Sequence, residues 1–261
     1  MLYKVTRETL ATYDKAKDKE GIEELQGAWT NTPTATTQVN TAHAAVNGMQ
    51  NDVVKAAWLM GTHLDTAYQS DGIKAYTLFH NPTDNGALDV AECVFDKRLG
   101  RKSHNAQHLA AVLAQNNQQG KQIKWVAHSQ GAIIFCAALE HYRIKYGKPL
   151  TTQQLAIHGS GANLDRLKRM AHSAGLTINN IRNNPFDLVP NITNNISSSS
   201  LARSVKFMGL TFGDEVGASP HTLPFLGLET YADQLQLLGN ISKATTVRKF
   251  IKTLPKGDSR I

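Results

Sequence analysis

The sequence predicts an α/β fold: a mostly parallel central sheet with helices on both faces. Three observations point to it. Short apolar runs alternate with helical patterns along most of the chain, as strands joined by helical crossovers do. The length, 261 residues, suits one undivided α/β domain with a sizeable core. The composition, 41% apolar and 19% charged, is that of an ordinary globular protein.

Residues 1–40 read as an N-terminal extension to a domain at 41–261. Helical periodicity and many charges mark 1–28, and 29–40 is a Thr- and Asn-rich connector containing Thr30-Asn-Thr-Pro-Thr. Strands are expected at Ala42–Val46, Ala75–His80, Ile123–Ala127, Leu155–His158, Leu176–Ile181 and Val205–Phe212. Helices are expected between them at 51–64, 86–98, 104–117, 131–146 and 163–174, with a last one at 228–239. Residues 188–202 are too polar and too rich in Ser and Asn for a buried helix. They are expected to form a long irregular loop, either a lid or entry flap at a ligand-binding edge or a plain surface loop. No internal repeat is present.

The formal net charge of +7 favours anionic partners such as a phospholipid surface or nucleic acid. A modest basic cluster lies near the C-terminus, at Lys243, Arg248, Lys249, Lys252 and Lys256. Aromatic residues are not interleaved with the basic ones, so the charge favours anionic lipid over nucleic acid. Cys93 and Cys136 stand far apart on apolar helical stretches and read as two buried thiols. The chain is polar from Tyr3 onward, and no apolar run approaches the roughly 18 to 20 residues of a membrane span. A soluble protein without a cleavable signal peptide is expected, with any export by another route or as part of a larger polypeptide.

Chemistry concentrates at Trp125-Val-Ala-His-Ser-Gln-Gly131. Ser129 falls where an expected strand gives way to an expected helix, with small residues, Ala127 and Gly131, two positions to either side. A nucleophile elbow needs this spacing, because larger neighbours would clash where strand and helix pack closely. The helix that follows directs its dipole and first amides toward the serine, which makes the Gln130 amide an oxyanion donor. Read the other way, the segment is a core turn with a buried serine.

A serine needs a base to take its proton and an acid to orient that base. His221 is the only histidine after His172, so it is the expected base. Asp187, in the loop after the strand ending at Ile181, is favoured as the acid over Asp214, which follows the expected strand at 205–212. Pro185 and Pro190 stiffen the Asp187 loop. The order Ser, acid, base, with both partners on loops after later strands, is the one hydrolases of this fold class require. A second oxyanion donor is expected from Gly48 or Met49 in the loop after the first of these strands, although an ordinary Asn-Gly turn would have the same sequence.

Other features are weaker. His104 and His108, four residues apart, lack the Glu of a zinc-protease helix and read as a solvated face. His128 flanks the serine without acting as the base, and His43, His80 and His158 are expected to be structural. Sequons at Asn191, Asn195 and Asn240 are attributed to chance. No phosphate-cradling or dinucleotide-binding loop is present.

Several pieces together resemble the α/β-hydrolase, lipase-like domains of bacterial polymorphic toxins and secretion-system effectors. They are Val46-Asn-Gly-Met-Gln-Asn-Asp52, His80-Asn-Pro-Thr83 with Asp89 and Glu92, Val126-Ala-His-Ser-Gln-Gly-Ala132, Asn184-Pro-Phe-Asp-Leu-Val-Pro190, and His221 followed by Tyr231. The resemblance covers roughly 42–232, and it departs at Ala127, where most lipases carry Gly. It implies a Ser129–Asp187–His221 triad, a phospholipid or other acyl-ester substrate at a membrane surface, and no cofactor or metal. It also implies delivery from a bacterium to target-cell membranes and a cognate immunity protein. A small-molecule esterase, thioesterase or amidase with the same triad, or a non-catalytic module on the same scaffold, remains open on the residues alone.

Overall fold

The alternating apolar runs assemble into one seven-stranded sheet. Its strands are β1 (Leu2–Thr6), β2 (Thr34–Thr36), β3 (His43–Val46), β4 (Ala75–Phe79), β5 (Ile123–His128), β6 (Gln153–His158) and β7 (Thr177–Arg182). Their spatial order is β2-β1-β4-β3-β5-β6-β7. From β4 to β7 every neighbouring pair is parallel, and β1 runs antiparallel to both β2 and β4. The computed structural model describes residues 1–11, 13–48, 52–82, 104–194, 197–211 and 218–261.

The helices follow as α1 (Lys19–Gly27), α2 (Val53–Ala67), α3 (His104–Gln118), α4 (Gln130–Lys145), α5 (Leu164–Ser173), α6 (Leu188–Thr193), α7 (Ser198–Val205), α8 (Met208–Thr211), α9 (Leu228–Leu237) and α10 (Ile241–Ile251). The central strands send alternate side chains to opposite faces. Ala44, Val46, Trp125, Ala127, Leu155 and Ile157 enter one core, with Leu109 and Leu113 of α3 and Phe135 and Leu139 of α4. Ala45, Val126 and Ala156 enter the other, with Ile22 and Leu25 of α1 and Trp58, Leu59, Met60 and Leu64 of α2. Strands covered on both faces explain why β3, β5 and β6 read as continuous apolar runs. A third cluster, separate from the sheet, joins Phe186 and Phe207 to Leu228, Tyr231 and Leu235 of α9 and Ala244, Val247 and Ile251 of α10.

Five expected strands lie within two residues of their predicted ends. The helix expected last, at 228–239, is followed by α10 at Ile241–Ile251, and three further expectations need correction. Residues 1–28 are helical only over a single 3-10 turn at Tyr13–Lys15 and over α1, where Asp18 caps the helix by accepting a hydrogen bond from the Gly21 amide at 2.8 Å. Leu2–Thr6 is instead a strand paired along its whole length with Ala75–Phe79, so the first forty residues contribute two strands to the sheet.

The second correction concerns 188–202, which is not an irregular loop. It contains α6 and the first part of α7, held by the Asn191 amide, which donates to the Pro185 carbonyl at 3.1 Å and to the Ser204 hydroxyl. The third concerns Val205–Phe212. Its described part is helical, ending α7 and forming α8, and no strand follows β7 among the described residues. Phe207 is buried against Phe186, with ring centroids 4.6 Å apart, and Ser204 three residues before it is also buried, while Val205 and Met208 are exposed. That three-residue spacing is helical, not the alternation of a strand.

The expected helix at 86–98, with Asp89, Glu92 and Cys93, lies outside the described residues. No described helix is long and apolar enough to cross a membrane.

Candidate active site

β5 ends at His128, α4 begins at Gln130, and Ser129 makes the turn between them with φ 55° and ψ −125°. Among the described residues it is the only non-glycine with positive φ. Such a backbone costs about 1–3 kcal/mol and persists only where the surroundings enforce it. Here the enforcement is steric. A Cβ placed on Gly131 would lie 2.3 Å from the Val46 carbonyl oxygen, and one on Gly161 would lie 2.9 Å from that of Ser129. The Gly161 amide donates to the Ser129 carbonyl at 3.1 Å, and the Ser129 amide donates to the His158 carbonyl at 3.3 Å. The turn is therefore clamped from both neighbouring strands, and the requirement for a small residue at 131 is met.

Ser129, His221 and Asp187 are brought together in that order. The Ser129 hydroxyl lies 2.7 Å from His221 Nε2, and His221 Nδ1 lies 2.7 Å from Asp187 Oδ2. A carboxylate facing Nδ1 fixes the proton there and leaves the Nε2 lone pair for the hydroxyl proton, the tautomer a general base requires. Asp187 is fully buried, and both of its oxygens are used. Its Oδ1 caps α6, accepting from the Val189 amide at 3.0 Å. A local turn presents it, in which the Asn184 side-chain oxygen accepts from the Phe186 amide at 2.9 Å and the Asn184 carbonyl accepts from the Asp187 amide at 3.0 Å. The Tyr231 hydroxyl is held well above the usual tyrosine range, chiefly by burial and secondarily by the negative charge of Asp187.

The two ends of the expected oxyanion site are also adjacent. A Cβ on Gly48 would lie 2.7 Å from that of Ser129, so only glycine lets this backbone approach the serine. Gln130 opens α4, where the helix dipole is positive. Met49 and Asp214 lie outside the described residues.

A set of asparagines ties these pieces together. Asn47 Oδ1 accepts from the Asn81 amide at 2.8 Å, and Asn47 Nδ2 donates to the Gly48 carbonyl at 2.8 Å. Asn81 Nδ2 donates to Gln130 Oε1 at 2.5 Å, and Asn105 donates to Asn81 Oδ1 at 2.7 Å. The Asn-Gly and Asn-Pro segments are thus joined physically to the residue after the serine.

His104 and His108 are exposed on α3. Cys136 is buried, and burial pushes its thiol up to about 11. Sequence reasoning missed His63, which is fully buried on α2, and the glycine at 161, whose signal was the small residues directly after β6.

The arrangement can withdraw a proton from a serine on a strained strand-to-helix turn, with a buried carboxylate orienting the base. Comparison with protein-family models, curated proteins and solved structures finds no match in any of the three.

Proposed function

We propose that this chain is a serine ester hydrolase of the α/β-hydrolase type that acts on lipids, a phospholipase- or lipase-like toxin or effector domain. One observation carries the reading: the unbroken relay from Ser129 through His221 to Asp187, with 2.7 Å at each link, ending on a serine in a strained backbone. In the first step Ser129 Oγ attacks the acyl carbonyl carbon while His221 Nε2 takes its proton. Amides of Gln130 and of the Gly48–Met49 loop hold the oxyanion. Collapse expels the alcohol, which receives the proton from His221 and leaves an acyl group on Ser129. A water deprotonated by His221 then releases the acid and restores the hydroxyl. The scheme uses no cofactor or metal.

A lipid surface as substrate is supported by position and charge. Leu201 and Val205 of α7 and Met208 of α8 are 40%, 52% and 45% exposed, and they follow directly on the Asp187 segment. An apolar stripe of this kind on a protein of net charge +7 suits an anionic bilayer. Delivery from a bacterium to target-cell membranes, with a cognate immunity protein as partner, completes the proposal.

The test is lipid mass spectrometry after incubating bacterial lipid extract with the wild type and with Ser129→Ala. Lysolipid and free fatty acid should accumulate with the wild type alone. Product formation by both proteins would refute the role of Ser129. Cleavage of short soluble esters with no gain on vesicles would move the substrate to a small ester.

A further inference from the structure

Three of the buried histidines outside the relay stack beside it. His63 belongs to α2, His128 ends β5 and His158 ends β6. With His221 they form a file of rings, centroids 4.8 Å apart from His221 to His128, 4.6 Å to His63 and 5.1 Å on to His158. Phe225 closes edge-on against His63 at 4.9 Å.

Two of these rings hold the backbone that carries the base. His128 Nε2 lies 2.8 Å from the His221 carbonyl oxygen, and His63 Nε2 lies 3.2 Å from that of Thr222. A carbonyl only accepts, so both rings carry their proton on Nε2. Nδ1 of neutral His63 is then an acceptor, and it lies 2.8 Å from His158 Nδ1, which must be the donor. This assignment needs one proton per ring and leaves bare nitrogens at His128 Nδ1 and His158 Nε2, the two ring atoms of the file that are buried with no partner. Burial, the largest cause, holds His63 and His128 well below the usual histidine range and His158 down to about 3, so all three rings are neutral near pH 7.

Residues 218–227 form neither helix nor strand. Besides the histidines, the Ser219 hydroxyl steadies the loop, accepting from the His221 and Thr222 amides at 3.2 and 3.4 Å. We propose that His63 and His128 are positioning residues that pin consecutive carbonyls at 221 and 222 through Nε2, with His158 fixing the tautomer of His63, and so seat the base between Ser129 and Asp187. The proposal rests on the serine-hydrolase reading.

The experiment compares two kinds of replacement. His63→Phe and His128→Phe keep a ring but delete the donor, whereas His63→Gln and His128→Gln keep an N–H near the Nε2 position. On a soluble p-nitrophenyl ester the Phe variants should lose on the order of 10- to 100-fold in kcat, the scale of a small misplacement of a catalytic group. KM should change little, and the Gln variants should recover most of the loss. Equal kcat for Phe and Gln variants, or a loss confined to KM, overturns the proposal.

Side-chain 15N NMR of the wild type gives an answer that does not depend on whether the Phe variants fold. Nε2–H on His63 and His128, Nδ1–H on His158 and neutral rings at pH 7 are expected. An Nδ1–H tautomer or a charged ring at His63 or His128 overturns the proposal. Wild-type protein that neither cleaves the ester nor reacts at Ser129 refutes the hydrolase reading and the catalytic part of this proposal, even where the tautomers are as expected.

Discussion

Ser129, within residues 43–182, is held by backbone sterics, whereas Asp187 and His221, within residues 183–261, are held by hydrogen bonds from side chains to main chain. In the first region a parallel sheet buried on both faces fixes the strands, and glycines at 48, 131 and 161 let three backbones converge on the serine. In the second, Asn184 turns the chain to present Asp187, and Ser219, joined by His63 and His128 from the first region, holds the loop of His221. Its packing comes from a separate cluster around Phe186 and Phe207. Ser129 is thus fixed by what cannot fit, and Asp187 and His221 by what must be bonded. The first kind of constraint leaves a short local motif in the sequence, and the second is spread over distant residues.

Substitutions in the two regions should separate these devices. Phe207→Ala removes a fully buried ring from the C-terminal cluster and should cost about 3–5 kcal/mol, the usual range for a buried aromatic. Because that cluster is distinct from the sheet cores, activity should disappear at a lower urea concentration than the far-ultraviolet signal of the sheet. Coincident loss of both would mean that the regions unfold as one. Gly131→Ala strikes the sheet side instead, since its Cβ would meet the Val46 carbonyl oxygen at 2.3 Å. A cost of about 1–3 kcal/mol in a single transition is expected from overpacking, and urea denaturation monitored by both probes measures it.

The effect specific to the file of histidines is on pH dependence. His158 titrates at about 3 in the folded protein against an ordinary histidine value of 6.5. Below pH 6.5 the unfolded chain therefore takes up a proton that the folded chain refuses, and stability falls as pH falls toward 3. One such group gives a slope of about 1.4 kcal/mol per pH unit. His63 and His128, also lowered chiefly by burial, act in the same direction. Urea midpoints at pH 7 and pH 5.5 check this, and a protein more stable at pH 5.5 would contradict a neutral buried file.

Much of the sheet is legible because β3 to β7 are short apolar runs between helical patterns, each giving its signal within a few residues. β1 is not, since Leu2-Tyr-Lys-Val-Thr6 mixes polar with apolar residues and buries only Leu2 and Val5. Ser129, Gly131, Asp187 and His221 can be named from motif, order and the scarcity of late histidines. The route to His221 is where the sequence misleads. Val205, Phe207, Met208 and Leu210 look strand-like as a run, but the buried positions are Ser204 and Phe207, three apart, and the segment ends α7 and forms α8. His221 therefore does not follow a sixth parallel strand, and it reaches Ser129 from an irregular loop that buried histidines hold in place. His63 carries no local signal at all, because its role exists only once α2 is packed against β5 and β6.

The central claim is that Ser129 is a nucleophile activated through His221. Reaction with a fluorophosphonate probe, followed by peptide mapping, tests it most directly. Wild-type protein should carry the label on Ser129 alone, and His221→Ala should slow labelling by at least about 100-fold, the scale of general-base assistance. Label on another residue, or equal rates in wild type and His221→Ala, would contradict the account.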